Sequence, residues 1–289
     1  MSSLNSPTSP DDRRPVRADG DITVVLVHGA FADASSWTGV IELLQQRGHT
    51  VVAPPNPLRG LTADSAYIAS VLDQIEGRVL LVGHSYGGAV ITNAAAAADN
   101  VLGLVYVAAF APDEGELLGA VETGSKDSVL NSALVPRQYP TDQAGQTATE
   151  FGIDPAKLHD VFAADLSPQQ AALLAATQRP IAESAFTDSP GPAAWKRLPS
   201  WAIVPTGDKA VGTDAVRSMA QRAGAEMIEL EGSHVIMISR PDAVAEVIVR
   251  ALESVAKSAD LPVPRRPVAV EAEPAGASTP SPSTTARRP

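Results

Sequence analysis

Val79-Leu80-Leu81-Val82-Gly83-His84-Ser85-Tyr86-Gly87-Gly88-Ala89-Val90 joins an apolar run to an alanine-rich one through a serine with a glycine two residues away on each side. The run 79–82 is what a strand buried on both faces should look like. Residues 86–98 favour a helix. Between them, Gly83-His84-Ser85-Tyr86-Gly87 has the spacing G-x-S-x-G. The bare spacing is weak evidence. Set between a buried strand and a helix, it predicts a tight, strained turn that lifts the Ser85 hydroxyl to the top of a sheet. Side chains at 83 and 87 would collide with backbone in such a turn, so glycine is required at both. Ser85 then stands at a helix N-terminus, where the dipole favours developing negative charge.

The same alternation extends on both sides. Ile22–Val27 reads as a buried strand, and Trp37, Val40, Ile41 and Leu44 mark a helix face. A strand at 50–53 follows, then a helix with Thr62 as its expected cap, a strand at 78–83, a helix at 86–98 and a strand at 101–108. From 111 to 197 the alternation stops; prolines and acidic residues punctuate short helical pieces such as 155–164 and 168–177, and this part is expected to be a helical cap inserted into the core. Strands at 201–205 and 225–230 resume the pattern, with a helix capped by Thr213 between them and a last helix from Pro241. Repeated β-α-β crossovers predict an α/β, doubly wound, mostly parallel six-stranded sheet with helices on both faces. The core is expected over 21–110 and 198–257. Residues 1–20 and 258–289 are polar or rich in Pro, Ala, Ser and Thr, and are expected to be disordered tails.

Composition narrows the function. Net charge is −11, and the arginine pairs at 13–14, 265–266 and 287–288 lie in the tails, so nucleic-acid binding is disfavoured. There is no cysteine, which excludes disulfides, thiolate metal sites and cysteine nucleophiles. No apolar run reaches membrane-spanning length and the start lacks the apolar core of a signal peptide, so a cytoplasmic protein without membrane insertion is expected. Oligomeric state is not legible. No metal-binding motif or phosphate-cradling glycine loop is present, and neither a metal nor a cofactor is expected.

The segments VVLVHGAFADASSW, GHSYGG, PTGDKAV and GSHVIMISRPDAVAEVI together resemble the α/β-hydrolase superfamily, and within it the small serine-esterase branch that includes plant methylesterases and hydroxynitrile lyases. The resemblance covers about 22–257; the cap carries no specific motif. A serine hydroxyl needs a neighbour to take its proton. Of five histidines, His234 lies after the last strand and before the last helix, in the chain order serine, acid, histidine, and is the expected base. Asp208 in Thr-Gly-Asp matches the family's acid position; Asp113 is the alternative, and Asp214 is better explained by a helix N-terminus. The resemblance makes His28 part of an oxyanion loop, with the backbone N–H groups of Ala30 and Tyr86 as donors and Phe31 as a second choice. His84 and His49 are expected to be structural, and His159 to face solvent.

The implied reaction is hydrolysis of small-to-medium apolar carboxylic esters through an acyl-enzyme on Ser85. Pocket candidates are Phe31, Tyr86, Phe110 and Trp195, with Tyr139, Phe151, Phe162 and Phe186 as further aromatics of the cap region. The alternatives are a cofactor-free perhydrolase, a lyase on the same fold, or a slow-turnover small-molecule receptor. Hydroxynitrile lyases of this branch carry a lysine after the histidine and a hydroxylated residue after the first-strand histidine; Val235 and Gly29 stand there, which favours the esterase.

Overall fold

The computed structural model describes residues 22–259, so both expected tails lie outside the described residues, except that the last helix runs on through 258–259. In chain order the elements are β1 (Ile22–Val27), α1 (Thr38–Gln46), β2 (Thr50–Val52), α2 (Leu61–Asp73), β3 (Arg78–His84), α3 (Tyr86–Ala97) and β4 (Val101–Val107). Next come α4 (Leu118–Gly124), β5 (Leu134–Pro140), β6 (Thr147–Ile153), α5 (Pro155–Phe162), α6 (Pro168–Thr177), β7 (Ile181–Ala182) and α7 (Ser184–Thr187). The chain closes with β8 (Ser200–Pro205), α8 (Thr213–Arg222), β9 (Glu226–Leu230), α9 (Ile236–Ser239) and α10 (Pro241–Ala259).

Six parallel strands form the main sheet in the order β2-β1-β3-β4-β8-β9. The chain winds outward from β1 to β2, crosses back to β3 and then proceeds to the other edge. The switch therefore lies between β1 and β3, whose registered ends are Val27 and Gly83. In such sheets the crevice at the carboxyl ends of these two strands takes the ligand. Central strands are closed to solvent on both faces: Val24 to Val27, Val79 to Val82 and Leu104, Val105 and Val107 are buried. Burying each such side chain contributes about 1.5–3 kcal/mol, so the strand ends that carry the site are held by the densest part of the core.

Two helix starts differ from the sequence expectation. Thr62 is not a cap: α2 begins one residue earlier behind Gly60, and the Thr62 N–H donates to Asp188 Oδ2 at 3.1 Å, so a distant carboxylate meets the free helix donor. Thr213 is the first residue of α8, and its hydroxyl donates to Pro205 O at 2.8 Å instead of capping the helix.

The insertion is not purely helical. Besides α4 to α7 it contains a three-stranded antiparallel sheet, β5-β6-β7. Pro136 and Pro140 hid β5, because proline cannot serve a central strand. They are tolerated because β5 is an edge, bonded to β6 alone and mostly exposed. Among the described residues no helix is long and apolar enough to cross a membrane.

Candidate active site

The turn after β3 has the strain that the glycine spacing implies. Ser85 has φ 53° and ψ −125°, a left-handed conformation that costs a non-glycine residue about 1–3 kcal/mol. Its carbonyl accepts from Gly88 N at 2.9 Å and Phe110 N at 3.1 Å, and its own N–H donates to Val107 O at 3.2 Å. A Cβ at Gly83 would lie 2.6 Å from Gly87 O, and one at Gly87 2.5 Å from Val27 O. The bend and the end of β1 are thus interlocked backbone to backbone, with no room for a side chain between them.

His234 and Asp208 are brought together from the loops after β9 and β8. His234 Nδ1 lies 2.8 Å from Asp208 Oδ2, and both side chains are buried. The carboxylate's other oxygen accepts from the amides of Ala210 at 2.9 Å and Val211 at 3.1 Å. The Thr213 hydroxyl also accepts from Asp208 N at 3.2 Å, so its bond to Pro205 braces the acid's loop against the end of β8. With Nδ1–H donating to Asp208, His234 Nε2 is the bare nitrogen. It is buried and has no hydrogen-bond partner among the described residues. An imidazole held this way can take a proton at Nε2 and be stabilised once charged. Ser85 and His234 line the same cavity.

Two other buried histidines hold this arrangement. His84, inside the bend, donates from Nε2 to His234 O at 3.0 Å, and the two rings are 4.8 Å apart. Burial, reinforced by the neighbouring His234, keeps the His84 pKa well below the ordinary value. It remains a neutral donor that ties the bend to the loop of His234. His28 accepts from Asn56 N at 2.9 Å through Nε2, which leaves Nδ1–H to donate to Gly29 O at 2.9 Å. Asn56 Nδ2 returns a bond to His28 O at 3.0 Å. Burial lowers the His28 pKa to about 4, so it too stays neutral, and it fixes the loop after β1.

That loop and α3 carry Ala30 and Tyr86, whose amides are the oxyanion donors named by the sequence reading. The N–H groups of Ala30 and Tyr86 donate to no acceptor among the described residues, and both residues line the cavity. Phe31 is a correction: its N–H already donates to Arg179 O at 3.1 Å and is unavailable, although its ring remains a cavity wall. The Tyr86 ring is also a wall, while its hydroxyl turns away and donates to Asp64 Oδ2 at 2.7 Å. Burial raises both pKa values, and Tyr86 remains a neutral phenol.

The cavity is narrow, with open room for about one water. Phe110 lines it, as do Phe162 and Phe186 from the cap. Phe162 packs edge-on to Phe31 at 6.0 Å and lies 5.0 Å from the His234 ring. Trp195 is a second correction. Its Nε1 donates to Pro112 O at 3.0 Å and its ring faces Lys196 and Arg222 outside the cavity. Tyr139 sits under the Arg59 guanidinium, and Phe151 packs behind Phe186 at 6.3 Å.

The remaining titratable candidates are elsewhere. Asp113 is ion-paired with Lys196 at the surface, which holds its carboxyl below the usual range. Asp214 accepts from Lys126 N at 2.8 Å and anchors the loop after α4 to α8. His159 Nε2–H donates to Leu166 O at 2.9 Å, tying α5 to α6. His49 follows α1 at the foot of β2, at the opposite end of the sheet. Leu130, Ala210, Val211 and Glu122 line the cavity without having been candidates from the sequence; Glu122, on α4, is buried with one carboxyl oxygen unpartnered. Among the described residues there is no cluster of three or more His, Cys, Asp or Glu that could hold a metal.

Comparison with known proteins agrees with this architecture. The chain is 34% identical over 135 residues to a carbendazim hydrolyzing esterase of Nocardioides sp., covering 42% of this chain and 50% of that one. It is 35% identical over 100 residues to a pyrethroid hydrolase of Sphingobium wenxiniae, covering 30% of this chain and 35% of that one. The matched stretches thus span half or less of these relatives. The crystal structure of polyneuridine aldehyde esterase superposes with a TM-score of 0.68 at 20% identity, over 80% of this chain and 99% of that one, a likeness of fold. The family model for the alpha/beta hydrolase family matches residues 24–247. With its strand order, its strained serine bend and that match over most of its length, the chain belongs to the alpha/beta hydrolase family.

Proposed function

We propose that this chain is a serine hydrolase that cleaves small-to-medium, largely apolar carboxylic esters through an acyl-enzyme. The observation that carries the reading is the convergence on one cavity of a strained Ser85, the bare Nε2 of an Asp208-held His234, and two unengaged amides. His234 takes the Ser85 proton as Oγ attacks the ester carbonyl. The oxyanion is received by the N–H groups of Ala30 and Tyr86, donors worth about 2.7–4 kcal/mol each in the transition state. Collapse of the tetrahedral intermediate expels the alcohol, which His234 protonates. Water then enters, gives its proton to His234, and releases the acid by the reverse sequence. The esterase and hydrolase relatives support ester cleavage as the reaction type.

Among the described residues no lysine or arginine lines the cavity, and Val235 follows the histidine, so these residues offer no cation to receive a departing cyanide. This favours hydrolysis over the lyase reaction. The test pairs fluorophosphonate labelling with p-nitrophenyl ester hydrolysis. Labelling at Ser85 and turnover abolished by Ser85→Ala support the proposal. Turnover that survives Ser85→Ala refutes it, and labelling without turnover points to a receptor.

A further inference from the structure

Among the described residues, Glu122 is the one acidic side chain that lines the cavity shared by Ser85 and His234. The residue is only 3% exposed. Its Oε1 is sealed from solvent with no hydrogen-bond partner, and no ion pair reaches the carboxyl among the described residues. It is on α4, one turn after buried Leu118, so the helix delivers it inward deliberately: a solvent-facing glutamate would lie on the other side. A buried carboxyl without a partner opposes folding, because the hydration it loses is not replaced. Apart from Ser85, Tyr86 and His234, the side chains that share the cavity lining with Glu122 are apolar, Phe31, Phe110, Leu130, Phe162, Phe186 and Val211 among them. A leucine would suit such walls better.

We propose that Glu122 is a specificity residue of the site: its carboxyl receives an N–H or O–H group carried by the substrate beside the reacting ester. This rests on the ester-hydrolase reading and deepens it, since the substrate becomes an ester with one hydrogen-bond donor set in an otherwise apolar body. The chemistry of the group fits. Burial raises its carboxyl to about 7, with no charged neighbour to offset it. Either protonation state keeps a carboxyl oxygen free to accept, and a donor that binds there supplies the missing partner. A site built to accept a hydrogen bond rejects the analogue lacking the donor far more strongly than an apolar wall rejects an extra methylene.

The test uses the three ring-amino isomers of methyl phenylacetate and their three ring-methyl counterparts, matched in size and differing in N–H donors. In the full chain, at least one amino isomer is expected to exceed its methyl twin about tenfold or more in kcat/KM. Glu122→Leu should erase that ratio, and Glu122→Gln, which keeps an accepting oxygen, should retain part of it. The same six esters titrated calorimetrically against Ser85→Ala, with and without Glu122→Leu, give a readout independent of turnover. Ratios that are equal in wild type and Glu122→Leu, in binding and in turnover alike, overturn the assignment. A Glu122-dependent binding preference without Ser85-dependent hydrolysis supports it while refuting the hydrolase reading. Hydrolysis that needs Ser85 but ignores Glu122 does the opposite. A structural role for Glu122 predicts that Glu122→Leu lowers Tm. The proposal predicts that at pH 8 Glu122→Leu raises Tm by about 2–4 °C.

Discussion

The carboxyl edge of the sheet and the inserted cap face each other across one cavity, yet they are built by different rules. At the sheet edge, position is set by backbone: Ser85 is fixed by three main-chain hydrogen bonds, and Asp208 by a hydroxyl brace and amide donors. In the cap, position is set by side-chain packing, with Phe162 against Phe31 and Phe186 against Phe151. The first kind of site tolerates no change of geometry; the second can be repacked with its chemistry intact. Under the proposed function, the contrast would place bond-breaking at the sheet edge and selection in the cap.

The sharpest way to break this division is at the sheet edge. Ser85→Ala and His234→Ala are each expected to lower kcat by about 10⁴-fold or more in a p-nitrophenyl ester assay. Asp208→Asn should lower it about 10⁴-fold, since an amide cannot hold the same tautomer, while Asp113→Asn at the surface should leave it unchanged. An inert Asp208→Asn with a dead Asp113→Asn would reassign the acid. His84→Phe keeps a ring but removes the donor to His234 O. One hydrogen bond is worth about 0.5–1.5 kcal/mol, so kcat should fall by up to about tenfold. On the cap side, Phe186→Ala should alter the preferred acyl or alcohol size and shift KM more than kcat, as read from a chain-length series of esters.

The smallest effect concerns stability and pH. The Glu122 carboxyl is raised from its ordinary 4.5 to about 7 by burial. The unfolded chain therefore gives up this proton first as pH rises, and the native state loses stability between about pH 4.5 and 7. Glu122→Gln should leave Tm near wild type at pH 4.5 and exceed it at pH 8. A difference that is flat across that range would mean the carboxyl is not buried in solution.

The same contrast explains what could be read in advance. Strand runs such as Val79–Val82 and the glycines at 83 and 87 act through local sterics, so sequence spacing reported them directly. The pairing of His234 with Asp208, and the cavity shared by Ser85 and His234, lie where chain order, strand ends and the resemblance at Thr-Gly-Asp pointed. The cap offered no such handle. Pro136 and Pro140 disguised an edge strand, and nothing local distinguishes Glu122 from a solvent-facing glutamate. Trp195 was an attractive wall by residue type, but its indole N–H found Pro112 O outside the cavity. Phe31 N–H was lost to Arg179 O, a contact across almost 150 residues of sequence that no local pattern carries.

The narrow cavity has a kinetic corollary. The room beside Ser85 is narrow and walled by Phe31, Phe110, Phe162 and Phe186, so under the proposed function an ester enters and its products leave only as these side chains move aside. Turnover should then track solvent viscosity, slowing in glycerol or sucrose even for esters whose chemical step is fast, with traffic through the doorway setting the pace.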